Sequence, residues 1–232
     1  MTKEISNDQI KIWDFFQSGN KKSFLPALPR YRFLRKETKK YLKKSGKILN
    51  IGIGLGLLEE NLHQDGFEVY ALDPSKEAVN NLKTKKINAK VGNIESHPFK
   101  NNFFDLIIVS EVIEHIPKTN LEKSISKMHN ILKPQGILIA TVPYNETLDD
   151  NNTICPKCGN QFHRWGHHNS FDYQSFLNLF KNDFQLVKIK TMSFPDWKFS
   201  VKGLIKALTK YFLGRFGIQV TTPRIYLVVK KL

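Results

Sequence analysis

The 232-residue sequence predicts a doubly wound α/β fold, a mostly parallel sheet with helices on both faces. Three observations carry that expectation. Strand-sized apolar runs alternate with helix-like segments along the chain. The run Phe104 to Val109 is almost continuously apolar, as suits a strand buried on both faces. A glycine-rich loop, Gly52-Ile53-Gly54-Leu55-Gly56, follows directly on a short apolar run and leads into a helical one.

Taken in order, Ile5, Ile12, Trp13 and Phe16 sit at helical spacing and predict a short amphipathic helix. Gly19 and the pair Pro26 and Pro29 break the chain, and Arg30 to Lys44 resumes as a basic helix. Lys47 to Ile51 reads as a buried strand, Leu57 to Gln64 as a helix and Phe67 to Leu72 as a strand. Ser75 to Lys85 is helical, with the Ser75 hydroxyl placed to cap its first turn. Asn120 to Leu132 is helical and stops at Pro134 and Gly136; Ile137 to Val142 is the next strand. After a segment without periodicity, Phe171 to Lys181 reads as a helix and Phe184 to Lys190 as a strand. A basic helix from about Trp197 to Leu213 and a closing strand over Pro223 to Lys230 complete the set.

Composition excludes several classes. With 41 % hydrophobic and 12 % aromatic residues the chain is neither disordered nor collagen-like. No apolar run approaches the roughly 20 residues of a membrane span. The N-terminus lacks the apolar core of a secretion signal, so a soluble, cytoplasmic protein is expected. Two cysteines cannot build a disulfide scaffold. The net charge of +15 is uneven: +9 over residues 1–47, −1 over 48–145 and +7 over 196–232. Basic ends around a neutral middle suit an anionic substrate, a nucleic acid or an anionic membrane surface, or simply a solvated face.

The glycine loop is selective in what it lacks. A dinucleotide fingerprint wants glycine where Leu57 stands, and a P-loop wants Gly-Lys-Ser/Thr. Instead Gly-x-Gly-x-Gly is followed by Asp73 at the end of the next strand, where a carboxylate can accept from both hydroxyls of a ribose.

The run Ile48-Leu49-Asn50-Ile51-Gly52-Ile53-Gly54-Leu55-Gly56 resembles motif I of class I S-adenosylmethionine-dependent methyltransferases. The resemblance continues in order through Ala71-Leu72-Asp73-Pro74-Ser75, Gly92-Asn93-Ile94-Glu95, Phe104-Asp105-Leu106-Ile107-Ile108, Glu111-Val112-Ile113-Glu114-His115 and Leu132-Lys133-Pro134-Gln135-Gly136. It covers residues 47–143 and implies a Rossmann-like sheet of seven strands. It also implies that Gly52, Gly54 and Gly56 hold the methionyl part of the cofactor, Asp73 the ribose, and Asn93 with Ile94 the adenine. Asn50 and Ser110, at the ends of two strands, join that cofactor-facing set. Asn50 and Asn93 stand where the family often has acids; an amide oxygen still accepts hydrogen bonds. On this reading residues 1–46 form a basic helical lid, 47–232 the catalytic domain, 145–170 a Cys/His-rich insertion and 197–215 a basic amphipathic helix.

The resemblance implies methyl transfer, and the residues narrow the acceptor. The Asn/Asp-Pro-Pro-Tyr of amino-methylating nucleic-acid enzymes is missing after the fourth strand, where Ser110-Glu111-Val112 stands, and no cysteine offers a cytosine-5 nucleophile there. Nucleic acid is therefore disfavoured as a partner, and an RNA methyltransferase or a non-catalytic S-adenosylmethionine-binding protein are the alternatives. The stretch Glu111-x-x-Glu114-His115 is similar to that of ubiquinone-biosynthesis O-methyltransferases, which act on polyprenylated hydroxybenzenes. O-methylation of a small or lipid-linked acceptor is the expectation, with His115 and Tyr144 as catalytic candidates. Glu111, Glu114 and His115 at helical spacing could share a face and hold a divalent cation. Val201, Leu204, Ile205, Leu208 and Phe212 form one face beside Lys198, Lys202, Lys206 and Lys210, a pattern suited to peripheral membrane contact.

In the insertion, Cys155-Pro-Lys-Cys158 is followed by His163 and by His167 or His168. Two thiolates and two imidazoles at these intervals suit a structural, tetrahedral Zn²⁺, expected on Cys155, Cys158, His163 and His167.

Overall fold

The computed structural model describes residues 11–12, 26–194, 209 and 223–232. The helices expected around Ile5 to Phe16 and Trp197 to Leu213 lie, but for positions 11, 12 and 209, outside the described residues, as does half of the predicted lid. Nine strands and five α-helices are described here: α1 (Leu28–Tyr41), β1 (Lys47–Ile51), α2 (Leu57–Gln64), β2 (Glu68–Asp73), α3 (Lys76–Thr84), β3 (Asn88–Val91), β4 (Phe104–Ser110), α4 (Leu121–Ile131), β5 (Leu132–Pro143), β6 (Asn152–Ile154), β7 (Gln161–His163), α5 (Tyr173–Asn178), β8 (Phe184–Met192) and β9 (Arg224–Lys231).

Seven strands form one sheet in the order β3-β2-β1-β4-β5-β9-β8, and β6 pairs with β7 in a separate hairpin. The pairs among β1 to β5 are parallel, whereas β9 runs antiparallel to both β5 and β8. The central strands are apolar on both faces because both are covered. Leu49, Ile107, Val109 and Leu138 point into one core with Ile125 and Met128 of α4 and Phe176 of α5. Ile48, Leu106, Ile108 and Ile139 point into the other with Leu34 of α1, Leu58 of α2 and Val79 of α3. Burial on two faces is what turns a period-two pattern into a continuous apolar run.

Local signals act as anticipated at two helix starts. The Ser75 hydroxyl accepts from the Ala78 amide at 3.4 Å. Asp172 accepts from the Ser175 amide at 2.7 Å, and Ser175 returns a contact to the Asp172 backbone, a capping box. Elsewhere the structure departs from the expected boundaries. Strand β5 begins at Leu132, directly after α4, although Pro134 and Gly136 read as a stop. The register jumps from Phe104 opposite Leu132 to Leu106 opposite Ile137, so residues 133–136 bulge out between two paired positions. The seventh strand, β3, had no apolar signal because it is an edge strand with Ala89 as its one buried residue. The β6–β7 hairpin was also unforeseen. Its residues are largely exposed and pair with each other, so burial left no periodicity to read.

Candidate functional site

Strands β1, β2, β4 and β5 end at Ile51, Asp73, Ser110 and Pro143, at one edge of the sheet. A cavity of about 660 Å³ opens there, at the carboxyl ends of parallel strands where ligands of open α/β sheets bind. Its floor is the glycine loop. Gly52 has φ +86°, and a Cβ there would stand 2.6 Å from the Val112 side chain, so only glycine fits. Gly54 also lines the cavity, whereas Gly56 lies behind it, with φ +76° at the start of α2.

Asp73 organises this loop. Its carboxylate accepts from the Ile53 amide at 2.7 Å and from the Ser75 amide at 2.8 Å, and it lines the cavity beside Asn93 and Ile94. The Asn93 side-chain oxygen accepts from the Ser96 amide at 3.0 Å, which holds the turn that carries Ile94. Asn50 is oriented by two donations from its amide nitrogen, to the Gly52 carbonyl at 3.0 Å and to Glu59 of α2 at 2.7 Å. Ser110 lines the cavity and shares a 2.8 Å hydrogen bond with the Thr141 hydroxyl.

The other side of the cavity comes from distant parts of the chain. Arg30 and Tyr31 of α1, Glu146 and Trp165 of the insertion and Arg224 of β9 all line it. None carried a sequence signal of its own, because each reaches the site only through sheet order and helix packing. Arg30 and Arg224 converge on Glu111, at 3.7 and 3.0 Å, and Thr141 donates to the same carboxylate at 2.9 Å. Burial pushes the Glu111 carboxyl up, but the two guanidiniums outweigh it and hold the group below the usual carboxylate range.

That pairing corrects the cation set expected on Glu111, Glu114 and His115. The segment is not an α-helix. Glu111 sits at φ +55°, and only Ile113–His115 form a single 3-10 turn, so Glu111 pairs with the arginines and its carboxylate is not in the close group that Glu114 and His115 make with His167. Glu114 and His115 instead meet the insertion. His168 and Asn169 donate their amides to the Glu114 carbonyl at 2.8 and 3.2 Å. The His115 Nδ1 lies 3.1 Å from the Gly166 carbonyl. These bonds bring His167 against His115, with ring centroids 4.7 Å apart.

Nor does the structure bring Cys155, Cys158, His163 and His167 together. The hairpin pairs His163 with Asn152 at its base and places the cysteines in the turn at its tip. Three residues of strand separate Cys155's partner Asn160 from His163, roughly 10 Å at 3.4 Å per residue. Among the described residues, the groups able to share an ion are Glu114 with His115 and His167, and Glu146 with His163 and His167; neither contains a cysteine. Tyr144 likewise does not line the cavity. It packs on Tyr173 with ring centroids 5.7 Å apart.

His115 does line the cavity, but burial and the neighbouring His167 press its pKa down to about 3. It is a neutral imidazole and a weak base at neutral pH. Glu114 is fully buried, and burial reinforced by Glu111 raises its carboxyl well above the usual range.

Residues 49–140 match the family model described as a methyltransferase domain. The mitochondrial ubiquinone biosynthesis O-methyltransferase of Rattus norvegicus is 35 % identical over 105 residues, covering 41 % of this chain and 30 % of the relative. Thus the chain spans less than a third of that relative's length. The ubiquinone biosynthesis O-methyltransferase of Pelagibacter ubique is 28 % identical over 187 residues, covering 72 % of this chain and 75 % of the relative. In structure, the 1,6-didemethyltoxoflavin-N1-methyltransferase of Burkholderia thailandensis superposes with a TM-score of 0.70 at 12 % identity, over 97 % of this chain and 88 % of the other. A seven-stranded sheet with a glycine loop at its carboxyl edge defines the Rossmann-like methyltransferase fold. Residues 49–140 are thus a methyltransferase domain, set in the fold shared by S-adenosylmethionine-dependent methyltransferases.

Proposed function

We propose that this protein transfers the methyl group of S-adenosylmethionine to an oxygen of a small or lipid-linked acceptor. One observation carries the reading: a single cavity is lined both by the glycine loop with Asp73 and by Glu114, His115 and His167. The first set fits the cofactor. Asp73 supplies the ribose acceptor, the Gly52–Gly54 backbone leaves room for the methionyl part, and Ile94 offers an apolar wall for adenine. Support for this cofactor also comes from the Burkholderia neighbour, which holds S-adenosylhomocysteine.

Transfer is an in-line displacement: the acceptor oxygen forms a bond to the methyl carbon as the carbon–sulfur bond breaks. The electron pair goes to sulfur, leaving S-adenosylhomocysteine and a methyl ether. Positioning supplies much of the acceleration, and the oxygen must first lose its proton. His115 is neutral and has a lone pair, but with its pKa pressed down to about 3 it is too weak a base to keep the proton, which passes on to water in the cavity. Tyr144 has no part in this reading because it lies outside the cavity.

Oxygen is favoured as the acceptor atom by the similarity to ubiquinone biosynthesis O-methyltransferases. Among the described residues no helix is long and apolar enough to cross a membrane. Contact with an anionic membrane surface, which would bring a lipid-linked acceptor within reach, rests on the lysines at positions 198, 202, 206 and 210. The decisive experiment incubates the protein with methyl-labelled S-adenosylmethionine and a cell extract, then identifies the labelled product. A labelled methyl ether supports the reading. A labelled nitrogen, or label in RNA with steeply salt-dependent RNA binding, overturns it.

A further inference from the structure

Beside the cofactor-binding half of the cavity lies a buried carboxylate with nothing to pair with. Glu114 is fully buried, and no other described residue donates to either of its carboxylate oxygens. A carboxylate in that state is costly unless a partner supplies charge or donors. Two imidazoles flank it, and the ligand atoms of Glu114, His115 and His167 lie within 4.8 Å of one another.

Both imidazoles are set up as electron-pair donors by what holds their other nitrogen. The His167 Nδ1 meets Glu146 Oε2 at 2.5 Å, and the His115 Nδ1 meets the Gly166 carbonyl at 3.1 Å. Each of those acceptors requires the proton on Nδ1, which places the lone pair on Nε2. A carboxylate or a backbone carbonyl behind a histidine is the arrangement that fixes metal-binding imidazoles in orientation and tautomer.

His163, in the overlapping group with Glu146 and His167, is excluded by the same reasoning. Its Nδ1 accepts from the amides of Trp165 at 3.3 Å and His167 at 3.0 Å. The proton must then sit on Nε2, 3.6 Å from Glu146, so that nitrogen has no pair to give. His163 and Glu146 are the supports of His167.

We propose that Glu114, His115 and His167 form a divalent-metal site in the cavity wall, taking a zinc-like ion through one carboxylate and two imidazole nitrogens. Ligands of a tetrahedral ion with bonds of 2.0–2.1 Å stand about 3.3 Å apart, so side-chain adjustments of about 1 Å close the set. Three protein ligands leave a coordination position open for an oxygen. The assignment rests on the methyl-transfer reading: a bound acceptor hydroxyl loses its proton to cavity water, and its oxygen then takes the methyl group as the carbon–sulfur bond breaks. It also gives the insertion a task, since His167 reaches the site only because residues 166–169 bond to Glu114 and His115.

The test uses Co²⁺ as a spectroscopic stand-in for zinc, added to untagged, metal-stripped protein, with S-adenosylhomocysteine affinity measured in parallel. Wild-type protein and the Cys155→Ser/Cys158→Ser variant are expected to bind one Co²⁺ each, without a thiolate charge-transfer band. His167→Asn and Glu114→Gln are expected to bind it at least tenfold more weakly while keeping their circular dichroism and their S-adenosylhomocysteine affinity. Glu114→Gln removes only a charge, so a merely structural role predicts unchanged Co²⁺ binding in that variant. Co²⁺ binding that survives both ligand variants, or a thiolate band lost with the cysteines, overturns the assignment, as does failure of the wild type to bind Co²⁺. Wild-type protein that binds S-adenosylhomocysteine but no Co²⁺ fails only this site, whereas wild-type protein that does not bind S-adenosylhomocysteine fails the methyl-transfer reading itself.

Discussion

The amide nitrogen of Asn50, at the end of β1, donates to the carboxylate of Glu59 on α2 at 2.7 Å, inside the protein and beneath the glycine loop. Glu59 has no exposed surface, and its second oxygen, Oε2, has no hydrogen-bond partner among the described residues. Burial raises its carboxyl from 4.5 to about 8, against the opposing effect of the Asn50 hydrogen bond. Between those values the folded protein holds a proton that the unfolded chain has released, so stability falls as pH rises through that window. Glu59→Gln keeps an oxygen for Asn50 and removes the titration. Thermal melts are expected to show little change at pH 5 and a rise on the order of 5 °C at pH 8. Equal shifts at both pH values would mean that Glu59 is ionised in the fold.

Asp73 should govern cofactor affinity. Its oxygens hold the Ile53 and Ser75 amides, and replacing it with asparagine sets an amide N–H₂ against one of those donors. Charge-assisted hydrogen bonds of roughly 1.5–3 kcal/mol each predict that Asp73→Asn weakens S-adenosylmethionine binding by about 10- to 100-fold. Calorimetry would check it, and an unchanged affinity would take Asp73 out of the site.

The Arg30–Glu111–Arg224 group ties α1 and β9 to the end of β4. Removing one charge from a largely buried ion pair costs about 3–5 kcal/mol because its partners are left without compensation. Glu111→Gln is therefore expected to lower the urea midpoint markedly, and the Arg30→Met/Glu111→Gln/Arg224→Met variant to recover part of the loss. A single variant as stable as the wild type would show that the three charges are held apart by water.

At the hairpin tip, Cys158 is exposed and Cys155 partly so, and both are free thiols. Amides of Cys158 and Lys157 turned toward the Cys155 sulfur hold that thiol below its usual pKa. In the native protein both thiols are expected to react readily with a disulfide reagent, and Cys155→Ser/Cys158→Ser to leave cofactor binding unchanged. Thiols that react only after treatment with a chelator would restore the four-ligand zinc site that the hairpin geometry argues against.

Much of the sheet, and the fact that Gly52, Gly54, Asp73, Asn93 and Ile94 meet at its carboxyl edge, were legible in the residues themselves. Phe104 to Val109 is apolar because both of its faces are covered, the glycines are needed where the chain turns at positive φ, and Asp73 ends β2, where its carboxylate reaches the Ile53 amide of the glycine loop. These are consequences of local geometry, and local geometry is written in consecutive residues. The acceptor half was not legible in that way. Helical periodicity grouped Glu111 with Glu114 and His115, but a residue at φ +55° broke the helix and sent Glu111 to Arg30 and Arg224. Cysteine and histidine spacing grouped His167 with Cys155, but a hairpin holds the two ends of that motif apart along its strands. His167 meets Glu114 and His115 across more than fifty residues of chain, held there mainly by the His168 and Asn169 amides on the Glu114 carbonyl, backbone groups that every residue but proline possesses. Such bonds leave no mark on residue type, so tertiary packing alone decided which of these titratable side chains share a site.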